Sequence, residues 1–196
     1  MLNTSSMPEQ PLQACRIDCP LGTLVALRDH DNAIVYLDFE DPKGPTPPPG
    51  DALWRASPVA WDTSVFTPLT EQIGEYFAGT RAAFDLKLAA RGNDFHKAVW
   101  EELRRIPYGV TISYGELARR LGRPGAARAV GRANGSNPIS IIMPCHRVIG
   151  ADGKLTGYSG GIERKAALLA LERALTPLGQ GTLPLGIESK GRGRKS

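Results

Sequence analysis

Alternation of apolar and polar residues in the first half of the chain predicts short strands. The segments TLVALR (23–28) and AIVYLDF (33–39) both alternate, and residues 29–32, Asp-His-Asp-Asn, have the composition of a turn. We therefore predict a β-hairpin within residues 15–39. A further segment, AFDLKLA (83–89), puts Phe84, Leu86 and Leu88 on one face and predicts a third strand.

Helical periodicity follows the hairpin and dominates the second half. Thr67 and Pro68 predict a helix start, with LTEQIGEYFA (69–78) as its body and Gly79 as its end. The next helix is predicted by apolar residues at helical spacing, and residues 107–109, Pro-Tyr-Gly, end it. These apolar residues are Phe95, Val99 and Leu103.

Residues 113–135 predict a helix-turn-helix. Ser113 is placed to cap YGELARRL (114–121), residues 122–125 form a Gly-Arg-Pro-Gly turn, and AARAVGRANG (126–135) is the second helix. DNA-binding proteins use this layout, although many other proteins contain it too. The second helix carries mostly Ala and Gly, which suits either tight packing on a neighbouring helix or close approach to a DNA backbone. In the second case Arg128 is the long side chain nearest the helix start, and binding would be independent of base sequence.

Charge divides the chain near residues 91–93, Arg-Gly-Asn. Residues 1–94 hold 7 basic and 13 acidic residues, whereas residues 95–196 hold 17 and 7, a net charge of +10. The second half is therefore expected to meet a polyanion, most commonly a nucleic acid. Four of its positive charges lie in the tail, and a solvated, solubilising tail would explain them equally well. Without these four charges the net charge of the second half is still +6. These tail residues are Lys190, Arg192, Arg194 and Lys195.

Three segments are predicted from these changes. Residues 1–91 form an N-terminal α/β supporting domain, which includes a loop at 41–50 with five prolines. Residues 92–176 form a C-terminal domain that carries the chemistry and the helix-turn-helix. Residues 177–196 form a basic tail that we expect to be flexible.

Composition excludes several classes of protein. No segment approaches the roughly 18 apolar residues that span a bilayer, and the first residues have no signal-peptide run. Three cysteines, Cys15, Cys19 and Cys145, do not suggest a secreted disulfide framework. Cys15 and Cys19 could bind a metal with His30, but four well-spaced ligands are not present locally, so positions beside a strand are favoured and no metal is expected. The protein is expected to be soluble and intracellular.

The stretch IIMPCHRVIG (141–150) contains the candidate chemistry. Cysteine reacts as a thiolate, and the neighbouring His146 and Arg147 are expected to lower the pKa of the Cys145 thiol. Adjacent residues on an extended chain point apart, so His146 needs a turn or a bridging water to take the thiol proton. Glu172 is a candidate carboxylate to orient the histidine. The residues alone leave an inert buried Cys-His pair equally open.

Longer motifs settle this choice by resemblance. PCHRV (144–148), GKLTGYSGG (153–161) and SYGELARRLGRPGAARAVGRANGSNP (113–138) resemble the O6-alkylguanine-DNA alkyltransferases, also called methylated-DNA–protein-cysteine methyltransferases. The similarity runs from about residue 94 to 173, and LGTLVAL and EYFAGTRAAFDLKL fit more weakly. It implies an α+β fold, with a small antiparallel-sheet, ribonuclease-H-like domain before a mostly helical, winged-helix-like catalytic domain.

The resemblance also implies the role of each site residue. Cys145 is similar to the alkyl acceptor, His146 to the base that acts through a water, and Glu172 to the carboxylate that orients it. Asn137 resembles the residue that holds the active-site turn, and Tyr114 the group that rotates a phosphate and protonates the leaving guanine. The DNA contacts implied are Tyr114, Gly115, Arg123, Ala126, Ala127, Arg128 and Ala129, with Arg128 replacing the extruded nucleotide. The pocket residues implied are Val148, Tyr158, Ser159 and Gly160.

The function implied is DNA repair by direct, stoichiometric and irreversible alkyl transfer. A methyl or other alkyl group would pass from O6-alkylguanine, flipped out of duplex DNA, to Cys145, without cofactor or metal. Binding would be through the minor groove by a monomer, in the cytoplasm, on the nucleoid, or in the nucleus of a eukaryote; acceptance of O4-alkylthymine is left open. Ser140 and Thr156 stand where some relatives have proline and glycine, so bulky adducts such as benzyl are expected to react more slowly than methyl.

Three other functions compete with alkyl transfer. A damage sensor without chemistry is disfavoured because such relatives lack the acceptor cysteine. A transcription regulator would need base-reading side chains, of which the second helix has few. A thiol hydrolase would turn over repeatedly, so the stoichiometry of transfer distinguishes it.

Overall fold

Four strands form the first layer of the computed structural model, which describes residues 12–40 and 59–174. They are β1 (Leu12–Cys19), β2 (Gly22–Arg28), β3 (Ile34–Phe39) and β4 (Val59–Trp61). The sheet order is β3-β2-β1-β4, antiparallel except for the parallel pair β1 and β4. The predicted hairpin is β2 and β3, which confirms an antiparallel sheet in the first half.

The N-terminal sheet is larger than the sequence pattern predicted. Residues 15–39 contain β1 as well as the hairpin, and Cys15 and Cys19 lie within β1 rather than beside it. Ala14 and Cys15 are both buried, so β1 lacks the strict alternation that marks a half-buried strand. The turn to β2 spans only residues 20 and 21, with Gly22 at a φ of +119° that favours glycine.

The prediction of a third strand at residues 83–89 is wrong, because this segment does not form a strand. Within 83–89 only Leu88 forms a bridge, to Ile34. The side-chain amide of Gln72 accepts from the Asp85 N–H at 2.9 Å and donates to the Asp85 carbonyl at 3.0 Å, so these groups are not free to join a ladder. The predicted face is nevertheless correct, because Phe84, Leu86 and Leu88 all pack against the core.

Helix α1 (Thr67–Phe77) lies against this sheet after a 3-10 turn at Thr63–Phe66. Thr67 is its first residue rather than its cap, because Phe66 holds the cap position. Gly79, at a φ of +76°, ends the helix as predicted. The buried face is Leu69, Ile73 and Tyr76, at helical spacing.

Within residues 94–174, the structure has four helices and two short strands. They are α2 (Asp94–Arg104), β5 (Ile112–Ser113), α3 (Tyr114–Arg120), α4 (Ala127–Gly135), β6 (Val148–Ile149) and α5 (Ile162–Ala174). Ser113 caps α3 by accepting from the Glu116 N–H, and α3 and α4 form the predicted helix-turn-helix. Trp100 of α2 donates to the Ala133 carbonyl at 2.8 Å, which ties α2 to α4.

The two halves share one buried core and a backbone connection. The Leu37 N–H of β3 donates to the Pro138 carbonyl at 2.9 Å, and the Ser140 N–H donates to the Leu37 carbonyl at 2.7 Å. The loop that leads to Cys145 is thereby docked on the edge of the N-terminal sheet.

Two sequence predictions lie outside the described residues, namely the proline-rich loop at 41–50 and the basic tail at 177–196. Among the residues that the structure does describe, no helix has both the length and the apolar character needed to cross a membrane.

Candidate active site

Cys145 begins a turn of 3-10 helix, Cys145–Arg147, and its side chain is buried. The sequence indicated that His146 needs a turn or a bridging water to take the thiol proton. The structure has the turn, so the side chains of Cys145 and His146 do not point apart as they would on an extended chain. Cys145, His146 and Arg147 are all buried, and His146 and Arg147 share one partner, Glu172.

A strained loop positions this turn. Ile141 has a φ of +71°, in the left-handed region that a β-branched residue rarely adopts, which costs about 1–3 kcal/mol. Asn137 spans the loop: its amide donates to the Met143 carbonyl at 2.7 Å and its oxygen accepts from the Ile139 N–H at 3.0 Å. Asn137 thus lies where the resemblance places a loop-holding residue.

Glu172 of α5 is fully buried and lies at the centre of a polar network. Its Oε1 accepts from His146 Nε2 at 2.8 Å and from the Tyr76 hydroxyl at 2.9 Å. The Gly109 N–H donates to Oε2 at 3.2 Å. Tyr76 belongs to α1, so the N-terminal half contributes directly to this network.

Arg147 neutralises the same carboxylate. Its guanidinium donates to both oxygens of Glu172, with Nη2 2.8 Å from Oε1 and Nε 2.9 Å from Oε2. Nη1 donates to the Ile106 carbonyl at 2.6 Å. Charge-assisted, two-point contacts of this kind fix the carboxylate plane. Hydrogen bonds from His146 and Arg147 hold the pKa of Glu172 at about 2 despite its burial.

The second ring nitrogen of His146 faces no partner among the described residues. With Nε2 donating to Glu172, Nδ1 carries a lone pair, and it is buried without a hydrogen bond to the protein. Burial lowers the pKa of His146, although Glu172 opposes this, so the imidazole is neutral at rest. A neutral imidazole with a free buried nitrogen can accept a proton, directly or through a water.

The expected lowering of the Cys145 pKa is wrong. Burial raises the pKa of this thiol to about 11, and nearby Asp38 adds to the rise, while Asn137 and Lys165 oppose it. Arg147 does not assist because its guanidinium is bound to Glu172. The resting cysteine is therefore a thiol that needs a base.

Lys165 is a buried cation that sequence reasoning missed. Its ammonium donates to the Val148 carbonyl at 2.6 Å and the Thr156 carbonyl at 2.7 Å, joining α5 to both sides of the 149–155 loop. Burial lowers its pKa to about 8. Lys165 lies at helical spacing from Leu168, Leu169 and Glu172, on the buried face of α5. This periodicity could have identified Lys165 as a buried residue from the sequence.

The predicted pocket residues lie close to the candidate nucleophile. Val148 is fully buried, and the half-buried Tyr158 packs against the core cluster that contains Val148 and Cys145. Ser159 donates from its hydroxyl to Asp38 Oδ2 at 3.3 Å. A Cβ on Gly160 would lie 2.8 Å from the Tyr158 ring, so this close approach requires glycine.

The predicted DNA-contacting residues cluster around the start of α4. Tyr114 donates from its hydroxyl to the Thr156 carbonyl at 3.2 Å, and its ring packs near Gly131. Gly115 and Arg128 are exposed, and the side chain of Arg123 stacks 5.3 Å from the Phe95 ring centre. The half-exposed positions are Ala126, Ala127 and Ala129. The buried side of α4 is Val130, Ala133 and Asn134; Ala126 packs against the core, and Ala127 and Ala129 are partly accessible.

Family models match nearly the whole described chain. Residues 94–174 match the 6-O-methylguanine DNA methyltransferase, DNA binding domain, and residues 16–90 match the ribonuclease-like domain of the same family. The methylated-DNA–protein-cysteine methyltransferase of Mycolicibacterium paratuberculosis is 50% identical over 161 residues, which are 82% of this chain and 92% of the relative. The Mycobacterium tuberculosis protein of the same name gives the same identity and coverage.

Solved structures agree with the sequence comparison. The O6-methylguanine methyltransferase of Mycobacterium tuberculosis has a TM-score of 0.74 at 47% identity, covering 86% of this chain and 96% of that one. The OGT of the same organism in complex with DNA has a TM-score of 0.73 at 47% identity, with 84% and 95% covered. The α+β fold and the resemblance seen in the motifs are thereby confirmed, and the chain belongs to the 6-O-methylguanine DNA methyltransferase family.

Proposed function

We propose that this chain repairs alkylated DNA by moving an alkyl group from O6 of a damaged guanine onto Cys145, once per molecule. The observation that carries the proposal is the buried Cys145–His146–Glu172 arrangement, in which Glu172 orients His146 and leaves Nδ1 unpartnered. The family to which the chain belongs makes this chemistry the expected one.

The burial of Cys145 requires the damaged base to leave the duplex. The thiol is 3% exposed, so a stacked guanine could not reach it. We propose that α4 enters the minor groove, where its small, partly accessible residues allow close approach and exposed Arg128 fills the space left in the stack. The DNA contacts would be Tyr114, Gly115, Arg123, Ala126, Ala127, Arg128 and Ala129. Phosphate contacts by the basic second half would make binding independent of sequence.

The chemical step is a displacement at the alkyl carbon. His146 Nδ1 takes the Cys145 proton through a water, and Glu172 stabilises the imidazolium that forms. The thiolate forms a sulfur–carbon bond while the carbon–O6 bond breaks, and the electron pair of that bond passes to guanine. Tyr114 supplies a proton to the guanine and regains one from solvent, while the His146 imidazolium releases the proton taken from Cys145, so that the products are guanine and a thioether. A thioether has no hydrolysable bond, so each molecule reacts once.

The remaining site residues would hold the substrate in place. Val148, Tyr158, Ser159 and Gly160 form the pocket around the flipped base, and Asn137 keeps the loop before Cys145 in its strained form. We expect a monomer to suffice and no cofactor or metal to take part.

Stoichiometry tests the proposal. Increasing amounts of duplex DNA with one O6-methylguanine are added to a fixed amount of protein, and mass spectrometry locates the methyl group. We expect one equivalent on Cys145 and then arrest, with no transfer by Cys145→Ser. Cys15→Ser and Cys19→Ser are matched controls and should transfer normally. Binding without transfer would indicate a damage sensor, and repeated turnover a hydrolase; either result rejects the proposal.

A further inference from the structure

An acidic residue of the N-terminal half lies beside the proposed alkyl pocket. The backbone of Leu37 hydrogen-bonds to Pro138 and Ser140, which places the next residue, Asp38, against the loop that leads to Cys145. Asp38 Oδ2 accepts a hydrogen bond from the hydroxyl of Ser159 on the opposite side. Asp38 therefore lies between two segments of the pocket, although sequence reasoning gave it no role.

The charge of Asp38 is only partly neutralised. Within residues 12–40 and 59–174, no Lys, Arg or His side chain forms an ion pair with it at 4.0 Å or less. Its Oδ1 accepts from the Phe39 N–H at 2.9 Å, its Oδ2 accepts from the Ser159 hydroxyl, and the charge of Arg164 lowers its pKa without an ion pair. Burial raises the pKa of Asp38, and these groups oppose that rise, although the residue as a whole is only half-buried.

The negative charge of Asp38 affects the pKa of the Cys145 thiol. Burial is the main cause that raises the pKa of the Cys145 thiol and that of Tyr158, and the Asp38 carboxylate adds to both rises. Any substituent on the transferred carbon must fit beside Cys145 Sγ at the moment of attack. Such a substituent would enter the proposed pocket, in which Ser159 is hydrogen-bonded to Asp38.

We propose that Asp38 is a specificity-determining residue that makes this pocket discriminate against alkyl groups carrying a negative charge. The inference rests on the proposed function, because it concerns the group that Cys145 accepts. A methyl group is neutral and is unaffected, whereas a carboxymethyl group brings a second carboxylate towards the half-buried carboxylate of Asp38. Like charges repel strongly where water screens them poorly.

The test compares two adducts of nearly equal size. O6-carboxymethylguanine is anionic and O6-carbamoylmethylguanine is its neutral counterpart. Each adduct is placed in a duplex of the same sequence, and a third duplex that carries O6-methylguanine is the reference. Single-turnover rate constants are measured for the full-length wild type, Asp38→Asn and Glu40→Gln. Glu40→Gln is the matched control, because it removes one charge two residues further along, from a side chain paired with Arg16.

We expect the wild type to transfer the carbamoylmethyl group at least about tenfold faster than the carboxymethyl group, given repulsion between charges at short range. Asp38→Asn should reduce this ratio to near one, and Glu40→Gln should leave it unchanged. Equal wild-type rates for the two adducts overturn the inference, and so does an unchanged ratio in Asp38→Asn. The wild-type comparison holds even if Asp38→Asn folds poorly. If the wild type does not accept the methyl group of the O6-methylguanine reference duplex on Cys145, the proposed function itself is rejected.

Discussion

Replacing Glu172 by glutamine should destabilise the protein severely. The neutral amide would leave the buried Arg147 guanidinium without its counter-charge, and its NH2 group would face donors rather than acceptors. Removing one partner of a buried ion pair costs about 3–5 kcal/mol. Since domains have about 5–15 kcal/mol of stability, Glu172→Gln should lose a large fraction of the free energy of unfolding.

Urea unfolding followed by circular dichroism measures this loss. Glu101→Gln is the matched control, because Glu101 pairs with Arg104 on an exposed face where ion pairs contribute about 0–1 kcal/mol. A loss below about 1 kcal/mol for Glu172→Gln would refute the reasoning, since the buried charge would then be compensated in some other way.

The same carboxylate predicts a dependence of stability on pH. The pKa of Glu172 is about 2 in the folded protein against 4.5 as its ordinary value, so the folded state binds the proton less readily than the unfolded state. Its contribution is present in full above about pH 4.5 and is lost as the pH falls towards about 2. Unfolding free energies measured across this window should fall more steeply for wild type than for Glu172→Gln. Parallel profiles would contradict the assignment.

Four further predictions test other parts of the site. Tyr76→Phe removes a buried hydroxyl donor to Glu172 and should cost about 1.5–3 kcal/mol in urea unfolding; no loss would mean that the interdomain hydrogen bond contributes nothing. Asn137→Ala removes the bonds that hold the strained active-site loop and should cost about 1–3 kcal/mol and slow transfer, whereas a normal rate would show that the loop keeps its form unaided. Because burial lowers the pKa of His146 below 6.5, its neutral form persists into mildly acidic solution, and the transfer rate should begin to fall only below that pH; a fall already beginning above pH 6.5 would contradict this. Because Ser140 replaces the proline that the resemblance leads us to expect in the pocket wall, free O6-benzylguanine should inactivate the protein more slowly than O6-methylguanine, and equal rates would count against this.

Local patterns predicted most of the helices and part of the sheet. The cap at Ser113, the end of α1 at Gly79 and the β2–β3 hairpin depend on residues close together in sequence, and the structure has all three. Strand β4 was missed because it has only three residues. Residues 83–89 alternate as a strand does, but Gln72 takes the backbone groups of Asp85, a contact that periodicity cannot reveal.

The motifs PCHRV, GKLTGYSGG and SYGELARRLGRPGAARAVGRANGSNP indicated the family and its chemistry by resemblance, whereas the adjacent Cys145 and His146 alone left an inert pair equally open. Only the tertiary structure decided how reactive that cysteine is. Arg147 adjoins the site in sequence yet binds Glu172, while burial and Asp38 raise the pKa of the thiol. Electrostatic and hydrogen-bond energies depend on distance in space and on exclusion of water. For that reason Tyr76 and Asp38, far from Cys145 along the chain, became part of the site only when the two halves packed together.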